Sequence, residues 1–455
     1  MADKFELIVK GGILVNEQRM GEADIGISGG RIAAVGSLAA SQGAKVLDAT
    51  GLHVLPGVID TQVHFREPGA EHKEDLETGS RAAVMGGVTA VFEMPNTSPP
   101  TSDAAALDYK ISRATDRMFC DFAFYLGATH DNIDELASLE RLPGAAGIKV
   151  FLGSSTGSLL VEDEESLGRI LQAISRRAAF HSEDEARLRE RMPLRREGDP
   201  SSHPEWRDHE TALISTKRLV RTAHQHGKRV HVLHTTTAEE IAFLADHKDV
   251  ASVEVTPQHL TLAAPDAYRK LGTKAQMNPP IRDVRHREAL WQGVRSGVVD
   301  VLGSDHAPHT LEEKSKSYPA TPSGMTGVQT LVPIMLDHVN AGRLTLERFV
   351  QLTSHGPEKL FGIAEKGHIA PGYDADLTIV DMGAERVIED SWIESRCGWT
   401  PFAGTKVKGW PIGTLIRGRT VMWEGEILGK AGGRPIRFED RSVRQPDEAH
   451  SSAVK

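Results

Sequence analysis

The sequence predicts an α/β protein: a (β/α)8 TIM-type barrel carrying a small β-sandwich domain formed from both chain termini. Three observations lead there. Through the middle of the chain, strand-like runs alternate with helical stretches, the pattern of parallel βα units. Short alternating runs with hairpin punctuation stand at both ends. Several of the middle runs end in a residue able to bind metal or move a proton, as side chains at the C-terminal mouth of a barrel do.

The terminal runs are FELIV at 5–9, then ILV after Gly11-Gly12, then ADIGISGGRIAAVG around Gly29-Gly30. Matching runs return late in the chain as ADLTIVD and TLIRGRTVMWEGEIL. Between them lie VLPGVID, VTAVFEM, AGIKVFLG, RRAAF, RVHVLH, ASVEVTP and VDVLGSD, interleaved with helical stretches such as LISTKRLVRTAHQHG and REALWQGVRSG. The expected division is a small domain from 1–53 and 371–437, a barrel from 54–370, and a disordered tail from 438–455. The mixed-charge stretch 183–210 reads as a solvated insertion, and no short-period repeat suggests a solenoid.

A chain of 455 residues exceeds one compact core, which suits a large domain plus a smaller one. With 39% hydrophobic and 25% charged residues it reads as soluble and globular. The formal charge of −10 argues against nucleic-acid and membrane-surface roles, which need a basic excess. Two cysteines, Cys120 and Cys397, cannot build a disulfide framework and fit a reducing, cytoplasmic setting. The first residues do not read as a signal peptide, and no apolar run approaches membrane-spanning length.

Candidate chemistry sits at the strand ends. In VIDTQVHFREPG, side chains two apart share a face, so Gln62, His64 and Arg66 point together while Val63 and Phe65 point away. That suits a metal site beside an anion pocket, or equally a structural His and a surface Arg. Lys149 interrupts the apolar run GIKVF, where an unpaired ammonium is costly. It is either neutralised, for instance as a carbamate with oxygens able to bridge metals, or a snorkelling side chain. His181 directly follows an apolar strand. His231 and His234 fall on opposite faces of RVHVLH, so at most one is expected to face the barrel interior. Asp305 ends VDVLGSD with His306 and His309 close behind; it suits metal binding and proton transfer, or a helix N-cap. Asn96 and Asn278 stand beside prolines, in recognition loops or ordinary turns.

Together these motifs resemble the dihydroorotase branch of the amidohydrolase superfamily. The likeness is carried by HFREPG at 64–69, EMPNTSPP at 93–100, GIKVF at 147–151, AFHSEDE at 179–185, HVLHTTT at 231–237, EVTPQHL at 254–260, MNPPIR at 277–282, SDHAPH at 304–309 and PGYDADLTIVD at 371–381, nearly the whole chain. The resemblance implies a hydrolase that opens the cyclic amide of dihydroorotate with one or two zinc ions. His64 and Asp305 would help hold one zinc and His181 and His234 a second, with N6-carboxylated Lys149 as the bridge. Arg66, Asn96 and His309 would hold the substrate carboxylate, helped by Asn278 and the backbone at Ser323-Gly324. Asp305 would be general base and then general acid. The expected partners are a small-molecule substrate and further copies of the chain as a dimer or tetramer, with no nucleic acid and no membrane.

One departure matters. The family's first motif is His-x-His, and here its first position is Gln62, a neutral and poorer zinc ligand. Gln258 and Gln329 likewise stand where a His and a Glu are commoner. The alternatives are a hydantoinase or allantoinase, or a non-catalytic dihydroorotase-like subunit scaffolding an aspartate transcarbamoylase. The charged, Pro- and Gly-containing loop 309–327 is expected to close over the site.

Overall fold

The computed structural model describes residues 5–16, 19–38, 44–154 and 157–439. The N-terminal segment forms β1 (Leu7–Asn16), β2 (Arg19–Ser28), β3 (Arg31–Gly36), β4 (Lys45–Asp48) and β5 (His53–Pro56). Eight barrel strands follow: β6 (Val58–Val63), β7 (Val88–Glu93), β8 (Asp121–Gly127), β9 (Ala145–Phe151), β10 (Ala178–His181), β11 (Val230–Val232), β12 (Ala251–Val255) and β13 (Val301–Leu302). The chain ends with β14 (Leu377–Val387), β15 (Lys406–Ile416), β16 (Arg419–Trp423) and β17 (Glu426–Ile427).

Strands β6 to β13 pair in chain order, all parallel, with helices as crossovers. The crossover helices start on side-chain caps that satisfy their free N–H groups: Asp75, Asp103, Asp163, Asp208, Thr237 and Asp283 each accept a bond from the first turn. The ends of the sheet meet through side chain and loop. The Ser304 amide donates to Asp60 Oδ1 at 2.9 Å, and the His64 amide donates to His306 O at 2.7 Å. The barrel is thereby nearly closed.

Alternation along these strands separates two cores. Phe122, Phe124, Leu126, Ile148 and Val150 pack outward in the large cluster that also takes up Leu167, Ile170 and Leu171. Ala90, Phe92, Ala123, Tyr125, Ala146 and Ala179 fill the lumen with Phe361, Ile363 and Ile436. The lumen is therefore a packed floor, and the polar residues stand above it.

The terminal strands form one mixed, nine-stranded sheet ordered β17-β16-β15-β14-β5-β1-β2-β3, with β4 on β1. It encloses its own core of Val9, Ile25, Ile27, Val54, Leu377, Ile379 and Leu415. The β2–β3 hairpin turns on Gly29-Gly30, both at positive φ, the two-residue turn whose twist matches the strands. At the junction with the barrel, Lys366 donates to Asp121 at 2.7 Å, Asp374 at 3.1 Å and Asp376 at 2.5 Å. No described helix is long and apolar enough to cross a membrane.

Two expectations are corrected. The stretch 183–210 is solvated only over its middle: most of 189–198 is exposed, whereas Glu183, Ser202, His203, Trp206 and Arg207 are buried, with Arg207 paired to Glu183. The tail does not begin at 438. Residues 433–436 run along β8, with Phe122 N donating to Arg434 O and Ile436 N to Phe122 O, and Phe438 meets Phe92 across the floor at 5.6 Å between ring centroids. Residues 440–455 of that expected tail lie outside the described residues.

Gly433 makes this strap possible, since a Cβ there would stand 1.9 Å from the Cys120 carbonyl oxygen. Gly433→Ala is expected to destabilise the protein by about 1–3 kcal/mol, read from urea unfolding.

Candidate active site

The C-terminal strand ends deliver the polar side chains. From β6, Gln62 and His64 both reach Asp305: Gln62 Nε2 donates to Asp305 Oδ1 at 3.1 Å, and His64 Nε2 lies 3.2 Å from the same oxygen. Val63 and Phe65 turn outward into the large core, as the two-residue period requires. His64 Nδ1 faces Asn96 Oδ1 at 2.8 Å. That oxygen and the Asp305 carboxylate both accept; with the ring proton on Nδ1 toward Asn96, Nε2 is the nitrogen that can present a lone pair beside Asp305. From β10 and the turn after β11, His181 Nδ1 and His234 Nε2 meet at 3.0 Å.

Behind His181 a carboxylate fixes the ring. His181 Nε2 donates to Glu183 Oε2 at 2.8 Å, and Arg207 grips Glu183 from the other side. Burial alone would raise the Glu183 carboxyl, but the Arg207 guanidinium and His181 override it and hold it well below the usual range. With its proton on Nε2, His181 presents the Nδ1 lone pair to the space it shares with His234.

Lys149 lies on the lumen side of β9, 1% exposed. Among the described residues it has no carboxylate within ion-pair distance; it meets Val150 O at 3.4 Å and the Phe151 ring at 4.0 Å. Burial pushes its ammonium well below the ordinary range, and the more distant Asp305 and Glu254 only partly offset this. Burial likewise lowers His64, His181 and His234, so all three are held as neutral imidazoles.

These residues fit a metal in their donor chemistry. Two Zn–N bonds of about 2.0–2.1 Å at a tetrahedral angle place the nitrogens about 3.4 Å apart, close to the His181–His234 spacing. Gln62 Oε1 is buried with no hydrogen-bond partner among the described residues. The described residues bring no three His, Cys, Asp or Glu side chains together as one ligand set. The donors come as two pairs, His64 with Asp305 and His181 with His234, and Lys149 is the remaining candidate ligand.

Beside the first pair is a cationic pocket. Arg66 Nε donates to Pro308 O at 3.1 Å, and Arg66 Nη2 lies 3.3 Å from His309 Nε2. His309 Nε2 also faces Ser323 O at 3.0 Å. Gly324 packs against this ring; a Cβ there would stand 2.4 Å from Ala307 O. The Gly324 amide is already donated to Gln276 O at 2.9 Å, so it shapes the pocket rather than offering a free donor. Asn278 belongs to another group, with Oδ1 on His203 Nε2 at 2.9 Å and Nδ2 on Ser154 Oγ at 3.2 Å.

Several functional neighbours were missed at the sequence level. Glu183 was legible, being two residues beyond His181 on a continuing alternation. Glu254 lies in the lumen, accepts from Thr61 Oγ1 at 2.8 Å and is pushed by burial up to about 8. His231 turns inward too, 3.4 Å from Glu254, although only one of the two histidines was expected to do so. The reason is local: β11 ends at Val232, and His234 has φ 32°, which breaks the alternation. Gln329 does not join the site; it anchors the 392–394 turn through Trp392 O and the Glu394 amide. Gln258 donates to Ser304 O at 2.7 Å, bracing the strand end that presents Asp305.

Comparison with known proteins decides the family. The family model described as Amidohydrolase family matches residues 53–421. The chain belongs to the amidohydrolase family. Similar amidohydrolases include the dihydroorotase of Halobacterium salinarum, 39% identical over 417 residues that cover 91% of this chain and 96% of that one. The dihydroorotase of Pyrococcus furiosus is 36% identical, covering 95% and 96%. Among solved structures, an L-hydantoinase (dihydropyrimidinase) from Arthrobacter aurescens superposes with a TM-score of 0.91 at 30% identity, covering 95% and 99%. Dihydropyrimidinase from Brevibacillus agri gives 0.89 at 27% identity, covering 96% and 99%.

The loop 309–327 is folded down in this amidohydrolase. Lys314 is buried, donating to Gln276 O and Pro322 O, and Tyr318 accepts from Trp206 Nε1 at 2.7 Å. His203 joins Tyr318 to Asn278, and burial holds it neutral, at about 3. An unfolded histidine titrates near 6.5, so its neutral-state contribution is complete above that pH and fades as pH falls toward 3. The stability penalty of His203→Asn is therefore expected to shrink by up to about 1.4 kcal/mol per pH unit between pH 6.5 and 4, read from urea unfolding.

Proposed function

We propose that this amidohydrolase is a dihydroorotase, opening the ring amide of dihydroorotate to N-carbamoyl-aspartate and catalysing the reverse cyclisation that pyrimidine synthesis requires. The observation that carries the reading is the Arg66–His309 pocket at the same strand ends as the His64–Asp305 pair. A planar guanidinium binds both oxygens of a carboxylate, and dihydroorotate carries one beside its cyclic amide. The dihydroorotase relatives, at 32–39% identity over most of the chain, support it.

In this reading His64, Asp305, His181, His234 and an N6-carboxylated Lys149 would hold one or two zinc ions, with Gln62 as a weak oxygen donor. Bound metal supplies a water of lowered pKa and a polarised carbonyl. Asp305 takes the proton of the attacking water and returns it to the ring nitrogen as the C–N bond breaks, so the carboxylate is regenerated. Arg66 fixes the substrate carboxylate, and the His309 ring beside it forms the wall of that pocket. Asn96 holds His64 in the tautomer that presents Nε2. The carbamate forms when the neutral Lys149 amine bonds to the carbon of CO2 and releases a proton. The proposal includes self-association as a dimer or tetramer and a reducing cytoplasmic setting, in keeping with the free buried thiols of Cys120 and Cys397.

The likeness to hydantoinase structures favours one second reading, a cyclic amidohydrolase whose substrates carry no such carboxylate. Comparing turnover of dihydroorotate, hydantoin and allantoin separates the two; preference for hydantoin defeats the dihydroorotase reading. Arg66→Met is expected to raise KM for dihydroorotate strongly, with kcat less affected. Asp305→Asn is expected to lower kcat about 10²–10⁴-fold. Protein prepared in 13C-bicarbonate is expected to show a carbamate carbon resonance that Lys149→Ala abolishes.

A further inference from the structure

Lys73 lies in the loop between β6 and the helix Leu76–Met85, outside the residues so far given a role. Its ammonium is 3.2 Å from His309 Nδ1 and 3.0 Å from Glu313 Oε1, with 18% of its side chain exposed. An ammonium has donors only, so His309 Nδ1 must be the acceptor. A neutral ring then carries its proton on Nε2, where the Ser323 carbonyl oxygen, an acceptor, stands at 3.0 Å. Arg66 Nη2 also approaches Nε2, at 3.3 Å, but it too can only donate. A protonated Nε2 cannot receive it.

We infer that Lys73 is a specificity-determining positioning residue: by occupying His309 Nδ1 it keeps the ring proton on Nε2 and leaves the Arg66 Nη2 donor free for the substrate carboxylate. This rests on the dihydroorotase reading. With no donor at Nδ1 the proton moves there, Nε2 becomes an acceptor, and Arg66 closes onto it. The Ser323 oxygen then loses its partner and the anion pocket loses one arm of its fork. Glu313 holds the device in place: it orients Lys73, and its amide and carboxylate close the capping box on Thr310, immediately after His309. The ring is buried between Arg66, Lys73 and Lys314, a setting that disfavours a doubly protonated imidazolium.

The test is steady-state hydrolysis of dihydroorotate by the zinc-loaded wild type, Lys73→Met and Lys73→Arg, with melting curves to verify folding. Lys73→Met is expected to raise KM about tenfold or more while kcat changes much less, and Lys73→Arg, which keeps a cationic donor, to recover most of the loss. A wild type active on dihydroorotate with an unchanged KM in Lys73→Met overturns the role of Lys73 alone. Equal losses in kcat and KM that Lys73→Arg does not recover also overturn it, pointing to a structural role. A wild type inactive on dihydroorotate overturns this inference together with the reading it rests on.

Discussion

The arrangement of the barrel mouth follows from burying an amine that pairs with no carboxylate among the described residues. Lys149 stands above a lumen filled by Phe92, Tyr125 and small alanines, so water does not reach it from below. Charging it there is costly, and burial pushes the ammonium well below its ordinary range. The same burial keeps His64, His181 and His234 neutral. These neutral ring nitrogens and the Asp305 carboxylate are the donor set that the proposed cation would use.

Rigidity around that set comes from polar groups satisfied in series. Tyr318 accepts from Trp206, His203 bonds Asn278, Asn278 and Arg207 both reach Ser154, and Arg207 holds the Glu183 that fixes His181. The folded-down loop and the 183–210 stretch are thus tied to a single histidine ring. A buried chain of this kind is stable only when every member is paired, which explains why the two ends of the 183–210 stretch pack inward while its middle stays exposed. On the opposite side of the mouth, Asp60 joins the first and last strands, so His64 and Asp305 face each other across the seam where the barrel closes.

Much of this was legible in the sequence, because strand period and strand ends are local properties. Gln62, His64 and Arg66 share a face as their spacing requires, Gly29-Gly30 forms its hairpin turn, and the polar strand ends converge. What the sequence concealed depends on tertiary contacts or on single backbone angles. The inward turn of both His231 and His234 hangs on one φ value at His234. The packing of 183–210 depends on partners such as Tyr318 and Ser154, distant in sequence. The strap at 433–439 shows no amphipathic pattern, and its place is set by a glycine meeting the Cys120 carbonyl. Asn278 and Asn96 look alike beside their prolines, yet one braces His203 and the other His64.

The direct measurement is calorimetric titration of zinc into chelator-treated protein, comparing the wild type with His181→Ala and Gln62→His. Tight uptake by the wild type, lost when His181 is removed and strengthened when residue 62 becomes a histidine, is the predicted result. Zinc uptake that is absent in the wild type, or that persists unchanged in His181→Ala, contradicts a metal centre built on these strand ends.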